Sequence, residues 1–175
     1  MDRVPDLKAN PRQLEPSTVR VSTLLEAVHL RRARLWKLPL PWHRRLSHRQ
    51  VLNRAVTTVF VNLLVDALEA NTNLSNWKYH ASGTGTNAES AADTSLQTAI
   101  AEARDTGTQV DGASANIYKS VATHTYAGTY AVTEHGLFDA SSGGNLMDRT
   151  VFSAINVVSG DKIEFTFQIT FAAGG

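Results

Sequence analysis

"DKIEFTFQITF", residues 161–171, alternates apolar and polar side chains over its whole length. Ile163, Phe165, Phe167, Ile169 and Phe171 share one parity, and Lys162, Glu164, Thr166, Gln168 and Thr170 share the other. Successive side chains of a strand point to opposite faces. This period of two therefore predicts a β-strand with one face on a core and the other on solvent or a partner. A helix would scatter the five apolar groups around its circumference. A sheet with one apolar face needs a second layer to lie against, so this stretch sets the class of the fold.

The same texture runs back through the chain. "NLMDRTVFSAINV" (145–157), "TYAVTEHGLF" (129–138), "NIYKSVATHTY" (116–126) and "NWKYHASGTG" (76–85) all read as strands, and Ser141-Ser142-Gly143-Gly144 forms a turn between two of them. Several short strands at turn-separated intervals favour an antiparallel β-sandwich. "DTSLQTAIAEAR" (93–104) interrupts them as an expected short helix, with Thr94 and Gln97 at capping-box spacing. No period of about 20 to 50 residues repeats, which argues against a solenoid.

Ahead of these strands lies an amphipathic pattern. Ser47 and Gln50 have capping-box spacing, and Leu52, Ala55, Val56, Val59, Phe60, Leu63, Leu64 and Ala67 recur every three or four residues. Arg54, Thr58, Asn62, Asp66 and Glu69 fall opposite, and "NTNLSN" ends the pattern. The expected organisation is thus a basic, extended N-terminal arm over 1–46, an amphipathic helix over 47–70 and a β-sandwich domain over 71–175. All five prolines (5, 11, 16, 39 and 41) lie in the arm, which favours extended or broken chain there. A short helix around "STLLEAVHLRRARLW" (22–36), capped by Ser22 or Thr23, is its one expected interruption. In class, the fold is expected to be mainly β.

Charge is divided along the same line. Residues 1–54 carry 12 Lys/Arg against 4 Asp/Glu, whereas residues 55–175 carry 5 against 12, so a net charge of +1 conceals a basic front and an acidic body. In "HLRRARLWKLPLPWHRRLSHR" (29–49), Arg31, Arg32, Arg34, Lys37, Arg44, Arg45 and Arg49 are interleaved with Trp36 and Trp42. Such a segment docks on an acidic protein surface with tryptophan and arginine as anchors. The alternatives are nucleic acid, held by phosphate contacts and stacking, and packing against the rest of its own chain. A protein partner is the preferred reading, because a merely solvated charge run would not carry two tryptophans.

Conventional site chemistry is sparse. With no cysteine, disulfides, thiolate metal sites and cysteine nucleophiles are excluded. The first residues, "MDRVPDLKANPRQLEP", have no apolar segment of the signal-peptide kind. Asn53, Arg54, Asn62 and Asp66 interrupt the most apolar run and argue against a membrane span. "SGTGTNAES" (82–90) has a Gly-x-Gly pair but lacks the remainder of a phosphate-binding or dinucleotide fingerprint, so a tight loop is expected. His124 and His135, with Glu134 nearby, could meet across paired strands as metal ligands, but satisfied histidines in a sheet are commoner. No Gly-x-Ser-x-Gly elbow occurs. Carboxylates such as Glu134 with Asp139 or Asp148 stand beside turns, where local hydrogen bonding is their usual role. No catalytic residue, metal or cofactor is expected.

Across residues 76–175 the chain resembles a family of tailed-bacteriophage virion structural proteins. "TEHGLF" (133–138), a Gly-Gly turn and "LMDRTVF" (146–152) carry most of the likeness, and a similar block occurs in tail-fibre and collar modules. The resemblance does not reach the basic arm. It implies a non-enzymatic role in the virion, assembled in the host cytoplasm. The favoured form is a head decoration or cement protein whose arm clamps the major capsid protein or other virion proteins while the sandwich forms a homo-oligomer such as a trimer. A tail, collar or baseplate component is the alternative it implies. Under the resemblance, Glu134 and Arg149 are read as a cross-strand or subunit-to-subunit ion pair.

Overall fold

A computed structural model of the chain describes residues 19–30, 49–53, 56–70, 74 and 76–173, giving backbone alone for 19–24, 49–53, 70 and 173. The described residues form nine strands and one helix: β1 (Val19–Leu30), β2 (Arg49–Asn53), α1 (Thr58–Ala70), β3 (Tyr79–Gly83), β4 (Asp105–Thr106), β5 (Thr108–Asp111), β6 (Ile117–Thr125), β7 (Tyr130–Phe138), β8 (Leu146–Val157) and β9 (Lys162–Ala173). They make two antiparallel sheets, one ordered β2-β1-β9-β6-β5 and the other β4-β3-β7-β8. The fold is mainly β, as the alternation of residues 161–171 requires.

β9 is the central strand of the five-stranded sheet. Ile163, Phe165, Phe167 and Ile169 are at most 1% exposed, while Glu164, Thr166, Gln168 and Thr170 remain half-buried on the other face. Phe165 and Ile163 pack with Leu25 and Ala27 of β1 against Val132 of β7 and Phe152, Ile155 and Val157 of β8. Further along, Phe167 and Ile169 meet Leu137, Met147, Trp77 and Phe60. Each such side chain contributes about 1.5–3 kcal/mol when fully buried. Phe60 stands edge-on to Trp77, with ring centroids 5.1 Å apart, and so fixes α1 to the end of the sandwich.

Three local expectations are corrected. Residues 22–30 do not begin a helix; β1 pairs with β9 from Val19↔Ala173 to Leu30↔Lys162. Leu24, Leu25 and Val28 have helical spacing, but Leu25, Ala27 and His29 also alternate, and all three are buried. The unsatisfied edge of β9 decides between the two patterns, because tertiary pairing overrides local propensity.

The helix begins at Thr58 rather than near residue 47, since β2 occupies Arg49–Asn53 and pairs with β1. Its cap is Thr57, which is fully buried. The Thr57 hydroxyl donates to the Leu146 carbonyl at 2.6 Å and accepts from the Phe60 amide at 3.2 Å.

Residues 93–104 form no helix. The Thr84 amide donates to the Thr98 carbonyl and the Ile100 amide to the Ser82 carbonyl. Backbone groups a helix would need are thus committed to an extended strap that runs back along β3.

Candidate functional site

β7 is buried from Val132 to Phe138, on both of its faces. One face meets the opposing sheet; the strap formed by residues 84–104 covers the other. A register shift between Val132 and Glu134 turns consecutive side chains outward beneath that strap. There the Thr133 hydroxyl donates to the Gly85 carbonyl, and Glu134 becomes the organising group.

Glu134 is fully buried, and its carboxylate accepts four hydrogen bonds. Oε1 takes the amides of Gly85 at 3.0 Å and Thr98 at 2.7 Å. Oε2 takes the Gln97 amide at 3.0 Å and Arg149 Nε at 2.7 Å. Burial by itself would raise this carboxyl's pKa; the Thr98 amide, the Arg149 guanidinium and the Gln97 and Gly85 amides outweigh it and hold it below the usual range. Arg149, 2% exposed, spends its remaining donors on the strap: Nη1 reaches Asp93 at 3.0 Å and Nη2 the Asn87 carbonyl at 3.2 Å.

Glu134 and Arg149 therefore meet within one chain, between neighbouring strands, as a cross-strand pair that also ties down residues 85–98. The Gly-x-Gly of "SGTG" follows from the same contact. A Cβ on Gly83 or Gly85 would collide with the Glu134 carboxylate. Nothing in the loop's own sequence indicates a carboxylate arriving from a strand some fifty residues away, which is why only a tight loop is legible there.

Two more anchors complete the strap. Leu96 packs with Phe138 and Leu146. Arg104 lies over the Phe138 ring, 3.4 Å from its centroid, and donates to the Ala140 and Gly143 carbonyls, each at 2.7 Å. The Ser-Ser-Gly-Gly turn is thus gripped from outside, and Gly143 and Gly144 supply its positive φ angles of 62° and 70°.

Three of the described histidines form two separate clusters, while His29 meets Asp161 at 3.3 Å. His80 Nδ1 lies 3.0 Å from His135 Nε2, and His80 Nε2 lies 2.8 Å from Ser120 Oγ. His135 stacks on Phe165 at 4.4 Å between centroids. A serine, a histidine and a second histidine in relay have the connectivity of an activated nucleophile. However, Ser120, His80 and His135 are at most 2% exposed, and Gly107 is packed directly against Ser120 Oγ and His80 Nε2. No substrate reaches the hydroxyl in this structure; the relay cross-links the two sheets through the core.

His124 belongs to the second cluster. Its Nδ1 is 2.5 Å from Asp105 and its Nε2 is 2.7 Å from Glu102, with Tyr126 edge-on at 4.5 Å. Burial lowers the pKa of this imidazole, but the bonds to Asp105 and Glu102 prevail and raise it above its ordinary value. Glu102 also accepts from the Ala127 amide, so His124 and Glu102 together join the end of the strap to β6 and the following turn.

The three candidate metal ligands are not brought together. His124 and His135 lie in different sheets, and Glu134 is engaged beneath the strap. Asp139 accepts from Asn145 within its turn, and Asp148 accepts from Thr150. Arg31, Arg32, Arg34, Trp36, Lys37, Trp42, Arg44 and Arg45 lie outside the described residues, and the backbone of Arg49 pairs with Val28 at the start of β2. Among the described residues no helix is long and apolar enough to cross a membrane.

The described residues thus define a strapped β-sandwich in which buried ionisable groups serve as internal fastenings. No family model matches the chain, and neither a curated protein nor a solved structure matches it.

Proposed function

We propose that this protein is a structural component of a tailed-phage particle, of the head decoration or cement kind, acting through its surfaces rather than through catalysis. The observation that carries this reading is the use made of Glu134 and Arg149. They are two of the charged residues in the blocks through which the chain resembles phage virion proteins, and both are consumed in fastening a covering loop onto a sheet. A particle component needs such a rigid body, and a separate means of gripping its neighbours. The basic, tryptophan-bearing segment 29–49 has the composition for that grip, with the major capsid protein as its partner. Many modest contacts repeated over a particle add through multivalency.

The test is stoichiometry. Quantitative mass spectrometry of purified particles is expected to find the chain in hundreds of copies, in fixed ratio to the major capsid protein. Copies in threes, sixes or twelves would reassign it to the tail, and absence from particles would reject the proposal.

A further inference from the structure

Among the described residues, one surface packs against nothing in the sandwich. Phe60 holds α1 to the core, helped by the half-buried Leu63 and Leu64. On another side of the same helix Val61 is 45% exposed, Val65 49% and Leu68 88%, and Thr58 is exposed in line with them. Residues 58, 61, 65 and 68 are spaced three, four and three apart, the a/d spacing of a coiled-coil seam, and span about 80° of the helix circumference. A helix apolar on two sides is built to lie between two layers. The described residues supply one of them.

We propose that the second layer is α1 of another copy, packed antiparallel across a two-fold axis. The positions are symmetric about residue 63. Thr58 faces Leu68 of the second copy and Val61 faces its Val65, so one stripe complements itself as an isologous contact must.

Charge selects the direction. α1 has no basic group in its last turn and no acidic group in its first, and its acids, Asp66 and Glu69, fall toward the C-terminal end. There they oppose the helix's own dipole. Of the two, Glu69 flanks the stripe; an antiparallel neighbour brings its positive N-terminal end beside it, whereas a parallel one would set Glu69 against Glu69.

A helix of 13 residues is about 20 Å long and covers well under the roughly 800 Å² per partner of a stable complex. The contact is therefore weak in solution, with a Kd on the order of tens of micromolar or above, and strengthens where copies are held close together. The inference deepens the particle reading and rests on it for its biological setting, but the contact itself belongs to the purified protein. Loss of pairing in solution and absence from particles are thus separate results.

Sedimentation velocity of the full chain across a wide concentration range is expected to show a reversible dimer. Leu68→Lys and Val65→Lys should each weaken it at least tenfold, while Val158→Lys, at an exposed valine elsewhere, should leave it unchanged. Since the natural chain has no cysteine, V61C and V65C variants give a second reading independent of any effect on folding. Mixed under oxidation they should cross-link to each other, and each alone should not. A monomer at every concentration, a dimer indifferent to Leu68→Lys, or cross-linking of V61C with itself would overturn the proposal.

Discussion

Glu134 shows how much one side chain can fasten. An apolar replacement of a buried ion pair is often tolerated, because it removes two desolvated charges together. Here it should fail, because the carboxylate also accepts three backbone amides, from Gly85, Gln97 and Thr98, that would be left without an acceptor. Glu134→Gln should cost about 3–5 kcal/mol, the range for stranding one member of a buried pair. The double variant Glu134→Leu/Arg149→Met should recover little of it. Urea denaturation of the single and the double variant measures this, and recovery close to wild-type stability in the double variant would show that the strap does not depend on the carboxylate. His124 makes a prediction of opposite pH sign. Its folded pKa is raised, so its contribution is complete below the unfolded value of about 6.5 and is lost as pH climbs through the higher folded value. The carboxyl of Glu102 is lowered: burial raises it, but His124, Tyr130 and the Ala127 amide prevail, so its contribution fades as pH falls through its folded value. Stability measured from pH 6 to 9 should therefore decline in wild type and be flatter in His124→Gln. Identical slopes would mean that the imidazole is not charged between Asp105 and Glu102.

At the level of elements, Thr57 marks the true start of α1, and its hydroxyl serves two partners at once. Thr57→Ala should cost about 1–2 kcal/mol for the lost cap, and the stranded Leu146 carbonyl adds to that. A loss below half a kilocalorie per mole in thermal or urea denaturation would contradict this placement. The capping box at Ser47 and Gln50 is a local pattern with no local consequence, because Gln50 pairs with Ala27 in β2. Elements whose pattern and tertiary demand coincide are legible: β6 and β9 alternate and pair with each other, whereas β7, buried on both faces, breaks the alternation. β1 is not legible, because its leucines satisfy helical and extended spacing alike, and the choice lies with β9, more than a hundred residues away. The strap has the local pattern of a helix but does not form one, for the same reason. The groups that determine its backbone, Glu134 and Arg149, belong to other strands. The pairing is an implication of the resemblance rather than of any spacing, and its four-bond geometry depends on a bulge that no local spacing encodes.

On the scale of the molecule, the unusual feature is that the first described strand closes the sheet against the last. β1 lies beside β9 over its whole twelve-residue length. The sandwich therefore completes one side of its central strand only by a contact between the two ends of the described chain, a non-local closure of the kind that slows folding. Such closure makes removal of the leading segment a graded experiment. A chain beginning at residue 19 retains every described strand and should keep the wild-type unfolding midpoint to within a few degrees. One beginning at residue 31 loses Leu25 and Ala27 from the core, and leaves one edge of β9 unpaired beside Phe165. A long edge beside exposed phenylalanines is a template for association, so this chain should be insoluble or form large assemblies on size-exclusion chromatography. If it instead remained monomeric with a cooperative melt, β1 would be an accessory to the sheet, and the segment 1–46 could act wholly as a gripping arm. The expected aggregation would divide that segment at residue 30. Residues 19–30 would then be needed to build the body, and the proposed grip would fall to residues 31–48.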